Sequence, residues 1–157
     1  YMDAHVSDIV AKIMRTAPPL EELIEAVVVE GKINMNPFQD VQNVPQLGEP
    51  LLSDAHFAAY VEAYTRTGFR GGINWYRNID YNKQAWPEVG VQPLHVPCLM
   101  LTAERDPALR PEMAADMDQR CSQLEIHNIE KAGHWVQQEQ PDVFNGHLLA
   151  WLNKHFQ

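Results

Sequence analysis

LHVPCLMLTAERDPALRPEMAADMDQRCSQLEIHNIEKAGHWVQ, Leu94 to Gln137, is the stretch whose reading decides the fold. Val96 to Thr102 is a near-continuous apolar run, the pattern of a strand in a parallel sheet, and it breaks at Glu104-Arg105-Asp106. Pro111 then opens a pattern in which Met113, Met117 and Cys121 recur every four residues, which predicts a helix. Leu124, Ile126 and Ile129 predict a second short strand that ends at Ala132-Gly133-His134. Strand, helix and strand in this order make a right-handed βαβ unit with parallel strands, so both strands finish at one edge of the sheet. Asp106 and His134 then sit on loops leaving that edge, on strands about 5 Å apart per step. The carboxyl edge of an open α/β sheet is where ligands bind. An acid and an imidazole meeting there supply two of the three members of a hydrolytic triad.

Bulk properties narrow the function. The 157 residues suffice for one ordinary domain, and a net charge of −9 with a pI near 5.1 leaves no basic stripe for nucleic acid. No apolar run approaches the length of a membrane span, and no signal peptide is visible. Cys98 and Cys121 fall in the predicted strand and helix without metal-ligand spacing, so they read as buried, reduced thiols of a cytoplasmic protein. HExxH, CxxC, GxGxxG and P-loop patterns are absent, so neither a metal nor a cofactor is expected.

Upstream of this unit the chain reads as helical. Val6, Ile9, Val10, Ile13 and Met14 form a stripe that Pro18-Pro19 ends, and a second helix runs from Leu20 to about Val29. Lys32 to Glu49 has little periodicity and reads as a long loop, of a length that is usually either functional or a lid. Ser53 as N-cap and Asp54 in the first turn start a helix carrying Phe57, Tyr60, Val61 and Tyr64 on one face, and Gly68 ends it. Gly71-Gly72 permits a turn before the dense segment Asn74-Trp75-Tyr76-Arg77-Asn78. Downstream, Pro141 opens a last helix with Phe144, Leu148, Trp151 and Leu152 on one stripe. Only two substantial strands are evident, and two parallel strands do not make a self-sufficient sheet. The chain is therefore expected to be the second half of a larger α/β protein.

His134 needs an orienting carboxylate before it can act as a general base, and Asp106 is positioned for that, with Glu104 as the rival acid. A plain alternative is that Asp106 only starts a turn before Pro107 and His134 only closes a strand. The Tyr76 hydroxyl can donate to a developing oxyanion, or the ring can simply fill a helical interface.

Three runs, GFRGGINWYRN (Gly68 to Asn78), LTAERDPAL (Leu101 to Leu109) and KAGHWVQQEQPDVFN (Lys131 to Asn145), closely resemble the C-terminal half of soluble-type epoxide hydrolases of the α/β-hydrolase fold. The likeness covers about residues 51 to 157, and NWYRN is its most specific part. It implies a partial α/β-hydrolase fold, with residues 1–78 as part of a helical lid and 79–157 as the last strands and helices of the core. In that family an aspartate attacks one epoxide carbon to form an alkyl-enzyme ester while lid tyrosines donate to the epoxide oxygen. A histidine held by a second acid then activates water, and a vicinal diol leaves. Carried over, His134 is the base, Asp106 its orienting acid and Tyr76 one lid donor, with Trp75 and Trp135 against an apolar epoxide.

The chain departs from the pattern as well. The nucleophile elbow and the HGxP segment lie upstream in the family and are not found here, and Tyr1 is the only candidate for a second lid tyrosine. The missing N-terminal half of the same enzyme is thus the implied partner, alongside a homodimer as a further assembly. Two other readings stand beside this one: a haloalkane dehalogenase or ester or carbon–carbon hydrolase of the same fold, and a non-catalytic binding module built on that fold.

Overall fold

The structure is a computed structural model describing residues 1–29, 32–33, 41–42 and 46–156. It divides into two compact units, one of residues 1–16 and 21–87 and the other of 17–20 and 88–157. Most of the predicted long loop, Lys32 to Glu49, lies outside the described residues.

The first unit is helical. Helix α1 (Val6–Ile13) buries Val6, Ile9 and Val10, and Met14 just beyond it is buried too, as the apolar stripe predicts. Helix α2 (Leu20–Val27) is followed by a minimal antiparallel pair, β1 (Val28–Val29) and β2 (Lys32–Ile33), so the second helix stops before Val28. The Arg15 guanidinium donates to the carbonyls of Leu47 and Gly48, fastening segment 46–50 to the end of α1. Helix α3 (Asp54–Thr67) begins at Ser53, whose Oγ accepts from the His56 N–H at 3.3 Å. It ends at Gly68, whose φ of 66° is the left-handed conformation that glycine adopts without a Cβ penalty. This bend delivers Phe69 to the Asp3 carboxylate, which accepts from its N–H at 2.9 Å, and to the Tyr64 ring, stacked at 4.4 Å.

Gly71 and Gly72 do not make a turn. They lie inside helix α4 (Arg70–Arg77), which leads directly into α5 (Ile79–Ala85). Each glycine costs an exposed helix roughly 1 kcal/mol relative to alanine, which the ladder of the surrounding turns absorbs.

In the second unit β3 (Leu94–Ala103) and β4 (Cys121–Ile129) pair in parallel, in continuous register from Pro97↔Gln123 to Ala103↔Ile129. Both strands are longer at their amino ends than the apolar pattern indicates. Burial along β3 rises from exposed residues at Leu94 to Thr102 and Ala103, which are buried. The core is concentrated at the carboxyl ends, where Ala103, Ile129, Ala132 and Val136 cluster with Leu101 and Phe144.

The connection between the strands corrects the predicted crossover helix. It consists of two short 3-10 segments, Pro111–Ala114 and Met117–Gln119. Cys121 is the first residue of β4, opposite Leu94, and Met113 is exposed while Ala114 is buried. Ten residues from Pro111 to the strand are too few to offset the cost of nucleating an α-helix. Cys98 and Cys121 are free thiols, the first half-buried and the second buried. After β4, α6 (Val136–Glu139) leads to α7 (Pro141–His155), which starts on Pro141 and half-buries Phe144, Leu148 and Trp151. Lys154 at its end donates to Glu125 of β4 at 2.8 Å. Among the described residues no helix is long and apolar enough to cross a membrane.

Candidate active site

Because β3 and β4 run parallel, the loops that leave them start side by side, and backbone hydrogen bonds extend the ladder into both. The Glu104 N–H donates to the Ile129 carbonyl at 3.1 Å, and the Arg105 N–H donates to Ala132 at 2.8 Å. Glu104, the rival acid, is occupied elsewhere: its carboxylate accepts from the Lys131 N–H at 2.6 Å. Lys131 has a φ of 58°, a strained conformation for a side-chain-bearing residue that costs on the order of 1 kcal/mol. The carboxylate of Glu104 bonds the amide at that bend.

The next residue of the first loop is Asp106, only 7% exposed. Its Oδ1 accepts from the N–H groups of Ala108 and Leu109 at 2.8 and 2.9 Å, the local turn expected of an aspartate before proline. Its Oδ2 lies 2.9 Å from Nδ1 of His134. One oxygen therefore closes the turn and the other meets the imidazole. Burial pushes the Asp106 carboxyl up, but the backbone N–H groups of Leu109 and Ala108 and the His134 side chain outweigh it. The group is held below its ordinary value. An ionised carboxylate can only accept, so Nδ1 of His134 is the donor to Asp106. The His134 side chain is 45% exposed, and Trp135 meets it edge-on at 5.3 Å between ring centres. The arrangement is that of an oriented imidazole able to take a proton from water.

The other predicted residues, Trp75 and Tyr76, lie side by side on α4 in the first unit, 79% and 76% exposed. The Tyr1 hydroxyl, also in that unit, accepts from the Val41 N–H at 2.9 Å. No group of three or more histidines, cysteines or acids among the described residues could hold a metal ion.

One residue escaped the sequence reading. Glu139, at the end of α6, accepts from the Gly133 N–H at 2.9 Å and the Ala17 N–H at 3.3 Å through the same oxygen, Oε2. A methyl group on Gly133 would overlap the Cβ of Ala17 and come within 2.9 Å of Glu139 Oε1, so only glycine fits there. The available signal was a carboxylate five residues after the histidine, too common a spacing to single out.

No family model matches the chain. It is 42% identical over 99 residues to bifunctional epoxide hydrolase 2 of Mus musculus, covering 62% of this chain and 18% of that protein. To epoxide hydrolase A of Mycobacterium tuberculosis it is 36% identical over 104 residues, 64% of this chain and 32% of the relative. The structure matches crystalline epoxide hydrolase A from Mycobacterium thermoresistibile with a TM-score of 0.76 at 27% identity, over 97% of this chain and 47% of that one. Epoxide hydrolase I of Solanum tuberosum shares the fold, with a TM-score of 0.68 at 21% identity over 98% of this chain and 49% of that one. The chain thus spans less than a third of the two curated relatives and about half of the two solved structures. By sequence and by fold, the chain is similar to part of the epoxide hydrolases.

Proposed function

We propose that the protein carrying this chain opens an apolar epoxide to a vicinal diol through an alkyl-enzyme ester. The chain supplies the hydrolytic half of the cycle. His134 takes a proton from water through Nε2 as that water attacks the ester carbonyl, and Asp106 holds the ring and stabilises the imidazolium that forms. The nucleophilic carboxylate belongs to a part of the protein outside this sequence. Tyr76 donates to the epoxide oxygen, where negative charge builds as the strained ring opens, and Trp75 and Trp135 offer apolar surface to the substrate. The residues of the chain require neither a metal nor a cofactor for these steps. Free thiols at Cys98 and Cys121 fit a reducing cytoplasm, and a homodimer is the assembly to look for.

The observation that carries the reading is the 2.9 Å contact between Asp106 and His134, joined to 42% identity with an epoxide hydrolase across this part of the chain. The test is turnover by the full-length protein of styrene oxide, a haloalkane and a p-nitrophenyl ester. Diol formation from the epoxide is expected. Halide release without diol would move the assignment to the dehalogenases, and no turnover of any of the three would leave a binding module.

A further inference from the structure

We infer that Glu139 is a positioning residue for His134, acting through the backbone of the histidine loop. The inference rests on the proposed role of His134 as base. It is carried by the contact of one carboxylate with two backbone segments, one of them the residue directly before the imidazole.

The geometry is specific. Gly133 immediately precedes His134, so holding the Gly133 N–H limits how the main chain enters the residue that carries the imidazole. Glu139 Oε2 takes the Gly133 N–H at 2.9 Å and, from the chain segment 17–20, the Ala17 N–H at 3.3 Å. Ala17 packs so tightly on Gly133 that no Cβ fits between them, which leaves the loop little freedom to rotate. Lys131, two residues before Gly133, is fixed from the other side by Glu104. The loop is therefore bonded through its backbone at 131 and 133, by two different carboxylates, directly ahead of the base. Glu139 Oε1 is buried, with no hydrogen-bond partner among the described residues.

The experiment compares Glu139→Ala and Glu139→Gln in the full-length protein. Glutamine keeps a carbonyl oxygen for Gly133, whereas alanine removes the acceptor. The first readout needs no substrate: the proton NMR resonance of His134 Nδ1–H, strongly deshielded while it is bonded to Asp106. It is expected to persist in Glu139→Gln and to broaden or vanish in Glu139→Ala. The second readout is hydrolysis of the alkyl-enzyme, expected to slow about tenfold to a hundredfold in Glu139→Ala with KM little changed, and less than about threefold in Glu139→Gln. If Glu139→Ala does not fold, Glu139→Asp, one methylene short of Gly133, is read in its place. An unchanged Nδ1–H resonance in the folded variant that lacks the full-length carboxylate overturns the inference. If the wild type turns over no epoxide, the proposed function falls, while the resonance still decides whether Glu139 sets the imidazole.

Discussion

Asp106 Oδ2 and His134 Nδ1 lie 2.9 Å apart although 28 residues separate them in the chain. Two parallel strands bring them together, and the shared ladder continues into both loops before either side chain leaves the backbone. The contact therefore depends on strand register more than on the conformation of long side chains.

Replacing His134 with alanine in the full-length protein should leave ester formation intact and slow ester hydrolysis by at least about 10²-fold. The alkyl-enzyme then accumulates, and intact mass after adding epoxide shows it. Normal turnover by this variant would remove His134 from the mechanism.

Asp106 is held below its ordinary value in the folded protein, so its ionised form stabilises the fold. That contribution is fully present above the ordinary carboxylate range and is lost as pH falls through the lowered folded value. Asp106→Asn should be less stable than the wild type near neutrality, and the gap should narrow as the solution is acidified into that range. Thermal melts of both proteins across pH give the comparison. A constant gap at every pH would mean that burial alone, without ionisation, accounts for the residue.

Tyr76→Phe removes only a hydroxyl. If that hydroxyl bonds the opening ring, pre-steady-state alkylation slows about 10²-fold while substrate affinity changes little. An unchanged alkylation rate would return Tyr76 to the packing role its sequence context also allows.

Gly133→Ala forces a methyl into space held by Ala17 and Glu139. Overpacking of this kind costs about 1 to 3 kcal/mol. The melting temperature should fall, and the hydrolytic step should slow with it because the displaced loop carries His134. A variant as stable as the wild type would show that the loop has room to yield.

The strand pair has a different vulnerability. Leu94 and Val96, at the amino end of β3, and Ile126 in β4 are exposed in this chain. Produced alone, the chain should bind a hydrophobic dye strongly and melt without a sharp transition. A cooperative melt with no dye binding would contradict this.

How far the sequence revealed this arrangement differs by element. β3 was legible because parallel pairing leaves a continuous apolar run, which stops at Glu104, and β4 was legible from Leu124, Ile126 and Ile129, with the loop after it marked by Ala132-Gly133-His134. Ser53 and Gly68 marked the ends of α3 through local chemistry that tertiary context did not override. The crossover was misread because Cys121 supplied an apolar position to a helical pattern while belonging to β4, and the remaining residues were too few to sustain a helix. Gly71-Gly72 was misread because propensity is only a weak prior inside a run of good backbone partners. In the site, the pairing of Asp106 with His134 followed from topology. The choice between Asp106 and Glu104 was open in sequence, and the structure pairs Asp106 with the imidazole while Glu104 bonds a backbone amide. Glu139 was invisible because its partners are main-chain N–H groups, which carry no sequence signature.

The parallel ladder between β3 and β4 makes acid-to-base spacing a property of main-chain geometry, which does not vary with side-chain identity. Mutational drift on the outward faces of these strands can proceed without moving Asp106 and His134 apart. A one-residue insertion within either strand, by contrast, would part the two groups at once.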